Sequence, residues 1–408
     1  MKNFNILSLD GGGAWALLQV LALIDLFGET AKGHDVLKQF DLIAANSGGA
    51  LVLGGLAVNM PLRTLLDIFA DKNKNQRRKI FVPLTSYSDL ITFFASNFGI
   101  GPKYDTHAKL AGLKSILGTS GEQALSDLPE SIGPGKAGRK PQFVICAFDY
   151  DLNREIFFRS DIQSLSGSFT PPREATLVQA VHASSTAPVN YFDSPAAFGG
   201  NRYWDGAIGG YNNPVLAAVT EAVANAARYG TSPSKIKALS LGTGSVVLPL
   251  ERHVPNEDPA LVSHRADPGL ANDLRKLATS ILDDPPDAAS FHAHVSLGGS
   301  MPPDPGHPVV GGPVVRMNPL VQPFKGTDEV PWILPEGLSA SQFAGLRKLG
   351  MDAVEQDQVK LIKTLGQAWL DNEVYNQPIR VNHDTLNVEI GDRWYRDARA
   401  HAQKLGLI

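Results

Sequence analysis

Cysteine is nearly missing: Cys146 is the single one in 408 residues. No intramolecular disulfide can form, which excludes the disulfide-stapled secreted scaffolds. That thiol sits in the apolar run 143–148, where a buried structural cysteine is the expected role. An excess of one charge is missing as well. Lys and Arg number 37 against 41 Asp and Glu, a net charge of −4, so no global electrostatic case for nucleic acid exists. No run of 18 or more apolar residues occurs, which argues against a transmembrane helix. The first residues, MKNFNILSLDGGG, read directly as a strand and a loop rather than as an apolar signal core with a cleavage site. These absences predict a soluble, cytoplasmic protein of a reducing compartment that touches membranes at most at their surface.

What is present suits a sizeable core. Hydrophobic residues make up 43% and charged ones 19%, as in ordinary globular proteins. The length allows two to three domains or one large α/β domain. The stretch around which the chain is organised is 40–50, FDLIAANSGGA. A short apolar run suited to a buried strand meets Asn46-Ser47-Gly48-Gly49 and passes into a helix-like run that ends near Pro61. Strand, sharp turn with serine at its tip, then helix is the pattern of a nucleophile elbow, G-x-S-x-G, here with Ala45 at the first glycine position. Small residues are needed because strand and helix backbones pass within contact distance. Ser47 would stand at a helix N-terminus, which favours developing negative charge.

In chain order, residues 5–9 read as the first strand, followed by Asp10-Gly11-Gly12-Gly13 and a helix over 14–27. Three glycines at a strand-to-helix turn aim successive N–H groups at one point. The loop lacks the Gly-Lys-Ser/Thr ending of a P-loop and does not fit G-x-G-x-x-G, so an oxyanion hole competes with a merely tight turn. Residues 60–80 read as helical and end in the charge run 72–79, a solvated face or a headgroup contact. The apolar clusters of 81–100 read as core packing or a lipid-facing lip. Strands are expected over 142–149 and 156–158, joined as a hairpin, with a helix over 177–187 that carries His182. A strand edge runs into Asp205-Gly206-Ala207, a helix opens at Asn213-Pro214, and a further strand covers 237–241. Strands alternating with helices predict an α/β fold: a mainly parallel central sheet with helices on both faces. From 245 to 312 prolines, aspartates and glycines crowd a loop-rich insertion, with a helix over 272–282. His292 and His294 could share a strand face, without enough further ligands for a metal. Residues 314–318 read as a last strand, 339–370 as helical, and 373–408 as a polar tail with a helix over 394–404.

Taken together, the pieces make the chain resemble the patatin-like phospholipases. DGGG at 10–13 resembles that family's oxyanion loop and ANSGG at 45–49 its elbow. Residues 103–128, with Lys103-Tyr104-Asp105 and Leu125-Ser126-Asp127-Leu128, are similar to the segment after its early helices. Ala183 to Pro188, Asp205-Gly206-Ala207 and Ser240 to Gly244 are similar to its ASSAAP-like, DG[A/G] and SLGTG stretches. The likeness runs from about residue 5 to 244 and more loosely to about 370. It implies a three-layer α/β/α domain over 1–370 and a C-terminal extension, 371–408, packed on it. It also implies a catalytic Ser47–Asp205 dyad, an oxyanion hole from Gly11, Gly12 and Gly13, no cofactor and no metal. Three departures stand out: Ala14-Trp15-Ala16 where the family often has x-Arg-Gly, Ala45 for glycine, and His182 where arginine is common.

The expected chemistry is fatty-acyl ester hydrolysis through an acyl-enzyme on Ser47, with Asp205 as the base. The substrate implied is a lipid at a membrane or micelle surface, phospholipid before neutral lipid. A homo-oligomer or a regulatory ligand stays open. Three alternatives stand beside this reading: a Ser-His-Asp triad with His182 as first candidate, a silent lipid-binding or storage protein on the same fold, and a transacylase.

Overall fold

The structure is a computed structural model. It describes residues 2–70, 77–84, 101–163, 174–189, 191–265, 268–269, 287–304, 306–382 and 385–408. Most of the charge run 72–79, most of the 81–100 stretch and the helix expected over 272–282 lie outside the described residues.

Eight strands form the main sheet: β1 (Phe4–Leu9), β2 (Leu42–Ala45), β3 (Gln142–Asp149), β4 (Arg154–Arg159), β5 (Ala196–Phe198), β6 (Asn201–Asp205), β7 (Ile236–Leu241) and, beyond the short β8 (Ser245–Val246), β9 (Val314–Met317). Their order is β5-β6-β3-β2-β1-β7-β9, with β4 paired to β3 off that path. Strands β3, β2, β1, β7 and β9 run parallel, while β4, β5 and β6 attach as antiparallel neighbours on the β3 side.

Alternation along each central strand sorts its side chains into two cores. Leu7 and Leu9 of β1, Ile43 and Ala45 of β2, and Leu239 and Leu241 of β7 join one cluster. Phe4 and Ile6, Leu42 and Ala44, and Ile236 and Ala238 join the other. Both faces are covered, so these strands carry apolar residues on both sides rather than on one alone. The first face is covered by α1 (Leu17–Phe27), α3 (Ser47–Ala57) and the helices Leu177–Ser184 and Gln356–Leu370. The second is covered by Val215–Ala224 and the helical segment 287–296. Between α1 and α3 lies the short α2 (Gly33–Leu37). This is the mostly parallel three-layer α/β/α architecture the alternation predicts.

Beyond β9, β10 (Pro319–Val321) pairs with β8 and with the strand Tyr375–Asn376. The last helix, Tyr395–Leu405, packs against β9, with Tyr395, Ala398, Ala402 and Leu407 in the first core.

Candidate active site

Register assembles the site. Leu9 pairs with Ala45 on one side and with Leu241 on the other. The loops leaving the carboxyl ends of β1, β2 and β7 therefore emerge side by side: Asp10 to Gly13, Asn46 to Ser47, and Gly242 to Gly244. Asp205 comes by another route. Strand β6 runs antiparallel to β3, with Asp205 opposite Ala147, and β3 in turn pairs Ile145 with Ala45. This carries a carboxylate distant in sequence to the end of the elbow strand.

Ser47 is the first residue of α3 and has φ +49. A non-glycine residue in the left-handed region costs on the order of 1–3 kcal/mol and persists only where its surroundings enforce it. Here they do. Its N–H donates to Ser184 Oγ at 3.0 Å, and Asn46, in extended backbone just before it, is fully buried. The helix behind Ser47 packs onto the glycine loop so closely that a Cβ on Gly48 would lie 2.8 Å from the Gly13 nitrogen.

Asp205 is 3% exposed. Its Oδ1 accepts from Asn46 Nδ2 at 3.1 Å and from the Ala207 N–H at 2.9 Å. Burial raises its pKa above the ordinary carboxylate value. A side-chain hydrogen bond from Ser47, those from Ala207 and Asn46, and the charge of Lys109 oppose that rise. The Ser47 side chain thus lies near the Asp205 carboxyl and favours its charged form.

Of the glycine loop, Gly11 is spoken for. Its N–H donates to the Asn212 carbonyl at 2.7 Å and its carbonyl accepts from Thr243 Oγ1 at 2.5 Å. The Gly11 N–H expected to serve the oxyanion is thus paired with the Asn212 carbonyl in this structure. Gly12 and Gly13, with φ +150 and +57, have N–H groups that meet no partner among the described residues. Asp10, ahead of them, forms a buried ion pair with Arg316 at 2.6 Å. Its pKa still rises to about 6 through burial, with Arg316 pulling it down.

Among the described residues, no hydrogen bond joins His182 to Ser47 or Asp205. It lies buried in the helix Leu177–Ser184, and burial, Lys109 and His107 push its pKa down. Its ring Nδ1 has no partner among the described residues. His292 and His294 sit on the helical segment 287–296, not on a strand. Two residues apart on a helix, they point to different sides, and His294 is engaged with the Ser300 carbonyl at 2.9 Å. Cys146 is buried, and burial raises its pKa.

Sequence reasoning missed the supports. Asn46 bridges elbow and carboxylate, and Ser184 holds the Ser47 amide. Lys109, fully buried, donates to the His182 carbonyl at 3.2 Å and to Thr186 Oγ1 at 2.9 Å, while the Thr186 carbonyl accepts the Asp205 N–H at 2.9 Å. Nothing in 106–117, which also carries Thr106, His107, Lys114 and Ser115, marks Lys109 as the buried one.

Above Ser47 opens a largely apolar pocket lined by Gly13, Leu51, Ile80, Phe81, Phe192 and Met351 among others. A second apolar cavity shares Gly13, Leu51, Ile80 and Phe81 with it and continues between α3, the helix Leu62–Ala70 and the helix Thr106–Leu117. Phe81 is thus a pocket wall, edge-to-face with Tyr104 and stacked with Phe192.

Over 248 residues the chain is 26% identical to an intracellular phospholipase A2 of Caenorhabditis elegans, covering 59% of this chain and 20% of that protein. It is 27% identical over 197 residues to a cGAMP-activated phospholipase of Pseudomonas aeruginosa, covering 47% of this chain and 49% of that one. A protein of the same description from Vibrio cholerae is 27% identical over 253 residues, covering 60% of this chain and 65% of its own. The chain therefore spans less than two thirds of the length of each of these relatives. The family model described as patatin-like phospholipase matches residues 7–219, which takes in the glycine loop, the elbow and Asp205. On that match and the fold around it, the chain belongs to the patatin-like phospholipase family.

Proposed function

We propose that the chain is a serine acyl hydrolase that cleaves fatty-acyl esters of lipids. Asp205 accepts the Ser47 proton as Ser47 Oγ attacks the ester carbonyl. The N–H groups of Gly12 and Gly13 bind the oxyanion, and an alcohol or lysolipid leaves with the proton. Water then attacks the acyl-enzyme and gives its proton to Asp205, which returns it to Ser47 Oγ as the fatty acid leaves. Preorganised donors of this kind are typically worth about 3 kcal/mol each in the barrier.

The observation that carries this reading is a strained serine at a helix N-terminus beside a buried carboxylate. The two hydrogen bonds that the Asp205 carboxylate accepts both fall on Oδ1, which leaves Oδ2 to accept from the hydroxyl. The raised pKa brings the carboxylate nearer to a hydroxyl's needs as a base. The apolar lining beside Ser47, shared through Gly13, Leu51, Ile80 and Phe81 with a neighbouring apolar cavity, supports an acyl group as the one held, since each buried methylene contributes about 0.8 kcal/mol.

The test is direct. Purified protein and its Ser47→Ala variant are incubated with vesicles of mixed phospholipids and acylglycerols. Parallel samples include cGAMP, the activator in the names of two relatives. Released products are identified by mass. Fatty acid and lysolipid from the wild type, and neither from Ser47→Ala, support hydrolysis at Ser47. Equal release from both contradicts it, and acyl transfer to an added alcohol identifies a transacylase instead.

A further inference from the structure

The family match ends at residue 219, yet a short loop far beyond it reaches back to the site. The Gly350 carbonyl accepts the Trp15 indole N–H at 3.0 Å. The Met351 carbonyl accepts the Ala14 N–H at 2.8 Å, and the Met351 backbone lies near the Tyr191 hydroxyl. Asp352 Oδ2 accepts from Lys103 Nζ at 2.9 Å and from Tyr104 Oη at 2.8 Å. The Met351 carbonyl also presses on the glycine loop, since a Cβ on Gly13 would lie 2.4 Å from it. Met351 lines the pocket that contains Ser47 and Gly13.

Successive glycines are costly to order, on the order of 1–2 kcal/mol of backbone entropy per residue. Gly12 and Gly13 adopt positive φ and, among the described residues, spend neither N–H on the protein. Something outside the loop has to fix them. Two of the hydrogen bonds above grip the turn just after Gly13, at Ala14 and Trp15. The Asp352 bonds tie the same loop to Lys103 and Tyr104. Trp15 stands where the family often carries arginine, and the anchoring indole gives that departure a role.

We propose that Gly350, Met351 and Asp352 form a strap that holds the glycine loop in its donor-presenting conformation, with the Met351 side chain as a wall of the substrate pocket. Trp15 and Asp352 are then positioning residues, acting through the backbone of Gly12 and Gly13. This inference rests on the hydrolytic reading of Ser47.

The experiment follows the inactivation of the full chain by a small alkyl fluorophosphonate, with the adduct located by peptide mass. Wild type, Trp15→Phe, Asp352→Ala and Met351→Ala are compared. A loop that loses its alignment loses rate rather than affinity. Trp15→Phe and Asp352→Ala should therefore lower the maximal inactivation rate by about tenfold. The half-saturating probe concentration and the melting temperature should stay near wild type. Met351→Ala should speed labelling by a branched probe relative to a linear one. If Asp352→Ala does not fold, Trp15→Phe, which keeps an aromatic ring in place, decides alone. Wild-type maximal rates in the folded variants, or a change confined to half-saturation, overturn the strap while Ser47 labelling of the wild type leaves the dyad standing. A wild type that is never labelled at Ser47 overturns the hydrolytic reading and the strap with it.

Discussion

At the scale of single residues, the account depends on the ionisation of Asp205. The group accepts a proton only as the carboxylate, and burial raises its pKa against the pull of Ser47, Ala207, Asn46 and Lys109. Activity should therefore be lost as pH falls through a midpoint above the ordinary carboxylate range and reach its plateau above that midpoint. Burial pushes the Lys109 pKa well down, with Asp205 opposing that fall; where the ammonium is charged it favours the ionised Asp205, so Lys109→Met should move the midpoint of kcat/KM upwards. The local bonds can survive this change, because Thr186 Oγ1 already donates to the His182 carbonyl at 2.6 Å. An unmoved midpoint would show that Lys109 is not felt by the base. His182, held below its usual pKa, is left out of the chemistry. His182→Gln should keep kcat/KM within about tenfold of wild type, far from the loss of about 10⁴-fold that follows when a triad is broken.

At the scale of elements, the elbow depends on how closely α3 approaches β1. A Cβ on Gly49 would lie 2.3 Å from the Leu9 carbonyl oxygen and 2.7 Å from that of Asp10. Both obstacles are backbone in the sheet and its exit turn, so neither can yield cheaply. Gly49→Ala should destabilise the protein by about 1–3 kcal/mol or more, read as a lower denaturant midpoint and a poorer soluble yield. The elbow was legible in the sequence because its determinants are local: an apolar strand, a serine and small residues within one short stretch. The parallel sheet was legible for a similar reason, as β1, β2 and β7 are each a short, mainly apolar run ended by a turn. Other features depend on partners far away in the chain. That Gly11 spends its N–H on Asn212, and that Gly350 receives Trp15, are tertiary facts with no local pattern. His292 and His294 were read as strand neighbours because their apolar surroundings fit either period, and only packing against the second core selects the helix.

At the scale of the whole molecule, the site depends on regions outside the family match. Arg316, which pairs with Asp10 at the base of the glycine loop, comes from β9. The backbone around it is held by Asn376. This fully buried side chain donates to the carbonyls of Arg316 at 3.0 Å and Asp392 at 2.8 Å, and accepts from the Asn318 N–H at 2.9 Å and Trp369 Nε1 at 3.2 Å. Each buried group left without a partner costs about 1–3 kcal/mol. Asn376→Leu should therefore lower the melting temperature strongly, although the residue lies far along the chain from Ser47. A melting temperature within a degree or so of wild type, too small a shift for the loss of even one such bond, would show that the hub is dispensable.

The most direct measurement of the central claim is lipid-ester turnover by Asp205→Asn beside the wild type, with equal folding verified by circular dichroism. The amide keeps the side chain's shape and can still bond to its neighbours, but it cannot take the serine proton. The account predicts a fall in kcat on the order of 10³-fold or more. Turnover at the wild-type rate would contradict it.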